Sequence, residues 1–214
     1  MDNLNLEKLI EYLKKNYLVL SLVVLLVVSL STYYFLYSAN QKNKTYMSQE
    51  LYKSYLNELS TFDGTEIEIL ESKLNELKNN NSSSIYYYLA NFYQVKIYFE
   101  NNEELKALDL MQKLNLDLES ENSQKHFLRD LSRIRLASIF IDFERFEEAR
   151  EVLDRSFSSY EALKFEKLGD LEKSTSNSKK AQNYYEMAIE ASTNQTQINL
   201  INFKLSSLAD SNEN

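Results

Sequence analysis

The chain has 214 residues, 43% of them hydrophobic and 26% charged, with a formal net charge of −8. Two glycines and no proline exclude the turn-rich sandwiches, barrels and dinucleotide folds. The absence of cysteine excludes disulfides, thiolate metal sites, thiol nucleophiles and a lipidated-cysteine anchor.

A tail over residues 1–16 comes first, with a weak amphipathic pattern at Leu4, Leu6, Leu9, Ile10 and Leu13. No charged residue occurs between Asn16 and Gln41, and the densest apolar stretch covers 17–37. A bilayer core of about 30 Å needs ~20 apolar residues in a helix, so this stretch is long enough to span. Tyr17 lies at one end and Tyr33, Tyr34, Phe35 and Tyr37 at the other, where interfacial aromatics belong. A cleaved signal peptide is the competing reading, but the run is long. Its nearest cleavage site, Tyr37-Ser38-Ala39, has a bulky residue where a small one is wanted. The sequence therefore predicts an uncleaved anchor. Lys8, Lys14 and Lys15 precede it and Lys42, Lys44 and Lys53 follow it, so counting charges leaves orientation open. The short tail and the closeness of Lys14 and Lys15 lean towards a cytoplasmic N-terminus.

After Gln41 the apolar residues recur at three and four, the helical period. Helices are expected at about 45–61, 66–79, 84–100, 103–115, 124–142, 145–157, 159–173, 179–192 and 195–208, with short polar breaks between them. Thr65-x-x-Glu68 and Ser158-x-x-Glu161 fit the capping box, and Asn102 before Glu103-Glu104 fits a polar cap ahead of a helix dipole.

The helix pairs repeat. Ala137 and Ala149 are twelve apart, and so are Gly169 and Ala181, each set flanked by bulky residues: Phe140 and Leu153, then Phe165 and Tyr185. A degenerate copy carries Val95, Tyr98, Ala107 and Met111. The steps from Ala107 to Ala149 and on to Ala181 bracket the tetratricopeptide period of about 34 residues, the longer one explained by an insertion at 115–123. Small residues let two helices approach, and stacked pairs bury what one pair cannot. The fold class is therefore all-α. A single N-terminal transmembrane helix is followed over 42–214 by a tetratricopeptide-like solenoid of about three degenerate repeats, closed by a capping helix at 195–208.

Chemistry has little to stand on. Carboxylate pairs such as Glu103/Glu104 and Glu147/Glu148 fall at helix starts, where acids stabilise the dipole. His126 has no second histidine or cysteine to complete a metal set, and no phosphate-loop, dinucleotide or serine-elbow motif occurs. Neither catalysis nor a cofactor is expected. Binding surface remains. By register the groove-facing positions are Phe92, Lys96 and Phe99 in the first unit, Ile134, Ser138 and Ile141 in the second, and Glu166, Asp170 and Lys173 in the third. A register shift of one residue would instead put Phe92, Phe99, Ile134 and Ile141 in the core.

The whole layout resembles the YfgM family of inner-membrane proteins, ancillary subunits of the SecYEG translocon. The match is best at Leu131-Ser132-Arg133-Ile134-Arg135-Leu136-Ala137, at 149–153, at Leu168-Gly169-Asp170 and at 181–188; it is looser over 103–110. Two departures stand out. The break at 174–178 lacks the usual glycine, and Val95 is large where a small residue is typical. The resemblance implies an inner-membrane protein with its N-terminus cytoplasmic and its domain periplasmic. It further implies a non-catalytic adaptor for emerging secretory proteins, associated with SecYEG and with periplasmic chaperones such as the PpiD-like prolyl-isomerase relative. The rival readings are an anchored tetratricopeptide scaffold or receptor on the cytoplasmic side and a secreted domain after signal cleavage.

Overall fold

The computed structural model describes residues 11, 14–120 and 125–212; the amphipathic pattern of the tail and most of the 1–16 tail lie outside them. Among the described residues there are nine helices and no strand: α1 (Tyr17–Thr61), α2 (Ile67–Asn81), α3 (Ile85–Glu100), α4 (Glu104–Ser120), α5 (His126–Asp142), α6 (Phe146–Leu153), α7 (Glu161–Ser174), α8 (Ser178–Ala191) and α9 (Gln195–Asn212).

Helix α1 is one unbroken run of 45 residues, where a helix starting near 45 was expected. With no glycine or proline from Tyr17 to Thr61, nothing in the sequence stops helical hydrogen bonding between the apolar stretch and the first solenoid helix. It is the one described helix long and apolar enough to cross a membrane. From Leu22 to Tyr37 its large apolar side chains are all exposed, by 53% at Tyr37 to 72% at Phe35. The Ser21, Ser29 and Thr32 hydroxyls donate back to the Leu18, Leu25 and Val28 carbonyls, each at 2.8 Å, so these polar groups need no outside partner. The first buried side chain is Ser48, held by Asn80 of α2 at 2.8 Å.

From Ser48 onwards the chain folds as antiparallel pairs: the end of α1 with α2, α3 with α4, α5 with α6, and α7 with α8, while α9 closes the stack against α8. The first pair adds a hairpin before the three repeats that the spacing marked. One large core runs through the first six helices into α7, and a smaller one holds Ala181, Tyr185, Ala188, Ile201 and Leu208.

The three repeats share one turn. Helix α3 ends with the Glu103 N–H donating to the Tyr98 carbonyl (2.8 Å) and the Asn102 N–H to the Phe99 carbonyl (3.2 Å). Helices α5 and α7 end identically, through Arg145 to Phe140 with Glu144 to Ile141, and through Asn177 to Glu172 with Ser176 to Lys173. This is the Schellman pattern, and Asn102, Glu144 and Ser176 occupy its left-handed position at φ 58°, 56° and 62°. Ser176 therefore does the work of the missing glycine. Five residues after each of these comes a fully buried alanine, Ala107, Ala149 or Ala181.

Several local expectations are corrected. Neither capping box forms. Asp63 Oδ1 instead accepts from the Thr65 N–H and hydroxyl, and left-handed Glu66 starts α2. The Ser158 and Ser159 N–H groups donate to buried Asp130 of α5, and left-handed Tyr160 starts α7. Asn102 belongs to the turn rather than capping α4. Helix α4 runs on to Ser120, past the expected end at 115, so much of the insertion is helix. Helix α6 stops at Leu153, not at 157.

Packing across the last pair shows a volume exchange. Seven residues before the left-handed residue stand Val95, Ala137 and Gly169; nine after it stand Met111, Leu153 and Tyr185. The smallest residue of the first set, Gly169, faces the largest of the second, Tyr185. A Cβ on Gly169 would lie 2.5 Å from the Tyr185 ring, inside any real contact. Gly169→Ala is therefore expected to cost about 1–3 kcal/mol by overpacking. Adding Tyr185→Leu reproduces the Ala137/Leu153 pair and should return part of that loss in chemical-denaturation curves of the full chain. Glu144→Gly and Ser176→Gly should each raise stability by up to about 1 kcal/mol, because glycine adopts the left-handed turn without strain; a lower melting temperature for both would contradict the turn assignment.

Candidate functional site

The first helix of each pair lines one face of the stack and the second helix the other. On the first face, α5, α7, α8 and α9 enclose a cleft of about 270 Å³. Its lining brings together four of the nine groove residues expected from sequence, Ser138, Ile141, Asp170 and Lys173. Asp142, Lys167, Ser174, Tyr185 and Lys204 complete it.

The other expected residues lie elsewhere. Phe92 and Ile134 are 5% and 4% exposed and form no open groove surface. The reason is visible at Phe92, whose ring lies 5.1 Å beneath the Arg135 guanidinium of α5: this position sits where neighbouring first helices meet. Phe99 is half-buried against the main core. Lys96 is exposed and pairs with Glu100 at 3.3 Å. Glu166 is buried under the cleft, bonded to Lys204 Nζ at 2.7 Å and Gln197 Nε2 at 3.2 Å.

Lys204 organises this end of the face. Besides Glu166 it reaches both Asp170 oxygens, at 2.7 and 2.9 Å. Asp170 also accepts from Lys167 Nζ (2.9 Å) and the Tyr185 hydroxyl (2.8 Å), while Lys173 donates to Ser207 (2.9 Å). Burial alone would raise the Asp170 carboxyl, but Lys167 and Lys204 outweigh it and hold the group below its ordinary value. Burial would lower the Lys204 ammonium, and Asp170 and Glu166 reverse that and raise it. Asp142 moves up through burial, with Asp170 adding to it. Sequence reasoning missed Lys204 because it lies on the presumed cap. A signal was present: it falls 34 residues after Asp170, one full repeat, and is the only charged residue between Gln195 and Leu208.

The opposite face carries a cleft of about 510 Å³ between α2 and α4, floored by α3. Among the described residues no three histidine, cysteine or carboxylate side chains are placed to hold a metal ion. What the molecule offers is two grooved faces with mixed charge.

The profile of the tetratricopeptide repeat-like domain matches residues 11–210. The chain belongs to that family. No curated protein matches the chain. Tetratricopeptide-like domains are in general non-catalytic repeat scaffolds for protein–protein interaction. In this one the repeats are the three Schellman-turn units, and the first-helix face is pinned at one end by Lys204.

Because Asp170 has a depressed folded-state value, its contribution to stability is complete above the unfolded carboxylate value of about 3.9 and is lost as pH falls through the lower folded value. The stability gap between wild type and Asp170→Asn should therefore be largest near neutrality and close below about pH 4. Urea curves at a series of pH values measure it; a gap that widens on acidification would contradict the sign.

Proposed function

We propose that the protein is a non-catalytic adaptor held in the bacterial inner membrane by residues 17–37, with a cytoplasmic N-terminus and a periplasmic tetratricopeptide-like domain. In this reading it associates with the SecYEG translocon and links emerging secretory proteins to periplasmic chaperones of the PpiD-like kind. One observation carries the membrane part: α1 continues without a break from the exposed apolar stretch into the stack. Residues 17–37 make about 31 Å of helix, the thickness of a bilayer core. A further eleven residues, about 16 Å, separate Tyr37 from Ser48. A tether with a flexible linker would let the domain swing; a helical strut sets its height and bearing over the membrane. That arrangement suits a subunit that must face a fixed channel exit. The resemblance to YfgM supports the named partners, and the family match supports protein binding as the activity. Ser138, Ile141, Asp170 and Lys173 are the groove residues offered for contact.

Topology decides the reading. Alkaline phosphatase fused after Asn214 should be active, and a fluorescent protein that folds only in the cytoplasm should be dark there; the reverse pattern would make the protein a cytoplasmic scaffold and end the secretory reading. Photocrosslinkers at Ser138 and Lys173 in whole membranes should then capture translocon or chaperone subunits. A flexible insertion after Gln41 should leave the protein in the membrane but weaken those adducts severalfold; equal yields would show that the strut plays no part.

A further inference from the structure

The cleft between α2 and α4, about 510 Å³, is separate from the face discussed above. Leu74 on one wall and Leu105 and Leu110 on the other make it apolar, over Tyr87 and Asn91 of α3. Leu105 is 75% exposed, far more than a folded core explains. The two ends differ in charge. At one end the groups satisfy each other: the Tyr98 hydroxyl donates to Glu71 at 2.7 Å, and Lys106 pairs with Glu103 at 3.0 Å while lying 5.5 Å over the Tyr98 ring. At the other end stand Lys78 and Lys113, and neither makes an ion pair among the described residues. Asp109 is the second carboxylate of the lining, so three lysines face two acids in a chain whose net charge is −8.

We propose that this cleft docks an amphipathic helix of a partner protein, with its apolar stripe on Leu74, Leu105 and Leu110 and its carboxylates against Lys78 and Lys113. The walls suit that shape. From Leu105 to Lys113 is eight residues, about 12 Å, enough for two to three turns of a helix lying between two others. A contact this small is transient, and its charged end sets orientation and partner choice more than strength. The inference does not depend on the membrane side or on the translocon.

The test uses the full chain in nanodiscs and two synthetic helical peptides of about 14 residues (~21 Å). Both carry leucines at i, i+3, i+7 and i+10; one ends in paired glutamates and its twin in paired lysines. Fluorescence anisotropy should show the glutamate peptide binding more tightly, and Leu105→Glu should weaken it about tenfold. Lys78→Glu/Lys113→Glu should reverse the preference between the peptides. Leu105, Lys78 and Lys113 are exposed, so helicity and melting should be unchanged. Three results would overturn the proposal: equal affinity for both peptides, binding insensitive to Leu105→Glu, or binding abolished by Lys173→Glu on the other face. Sedimentation showing copies of the chain paired through Leu105 would also overturn it, since the occupant would then be a second copy.

Discussion

Everything in the stack depends on how closely the two helices of a pair can approach at one level. That level is fixed by Ala107, Ala149 and Ala181 on the second helix, all fully buried, and by Val95, Ala137 and Gly169 on the first. The turn between them is geometrically the same three times, so the approach is set by backbone and the remaining volume must be shared. At the last of the three, Gly169 leaves the room that the Tyr185 ring fills. The turn is also braced from inside in each copy by a different chemistry. Arg145 lies over the Phe140 ring, Asn177 bonds Glu172, and Lys106 joins Glu103 to the Tyr98 ring. Cores tolerate such exchanges when total volume is kept. The repeats can therefore diverge in sequence while the stacking geometry holds.

The same geometry explains why buried charge collects between repeats. Asp130 of α5 is fully buried and accepts the Ser158 and Ser159 N–H groups of the loop that leads into α7. Arg133 beside it bonds both oxygens of Glu119 on α4 and lies over the Phe157 ring. Further along, Glu172 of α7 takes Arg150 of α6 at 2.8 Å. These pairs couple elements that the two-helix hairpins alone would leave joined only by short loops. Removing one partner strands a buried charge, which costs far more than the pair itself contributes.

The helical period and the alanine spacing made the fold legible, because both express one requirement, the close contact of paired helices. Helix ends were less legible. Thr65 and Ser158 carried capping signals, but Asp63 takes the Thr65 N–H and Asp130 the Ser158 N–H, the amides that Glu68 and Glu161 would reach back to in a capping box. The continuity of α1 was readable in the lack of glycine and proline, yet the anchor at 17–37 and a helix from about 45 were expected as separate elements. Of the expected groove positions, Ser138, Ile141, Asp170 and Lys173 line one cleft. The groove was misread at Phe92 and Ile134, which lie where first helices touch; a single repeat's register carries no information about how the next repeat leans on it.

How the stack ends follows from the same rule. One repeat of 34 residues carries Phe165, Leu168, Gly169 and Glu172, the positions that face the second helix, onto Asn199, Asn202, Phe203 and Ser206 of α9. The Lys204 to Asp170 contact supports that register, since it joins equivalent positions of adjacent first helices. All four α9 residues are exposed. Three are small and polar, and the fourth puts a phenylalanine, 72% exposed, where the preceding repeat has Gly169. A further second helix could not approach Phe203 as α8 approaches Gly169. Helix α9 therefore presents its stacking side to α8 and a face unsuited to continuing the array, and its one lysine closes the groove by pairing with the acids of the preceding repeat. Termination of the solenoid and charge compensation of its binding face are carried by neighbouring residues of one helix.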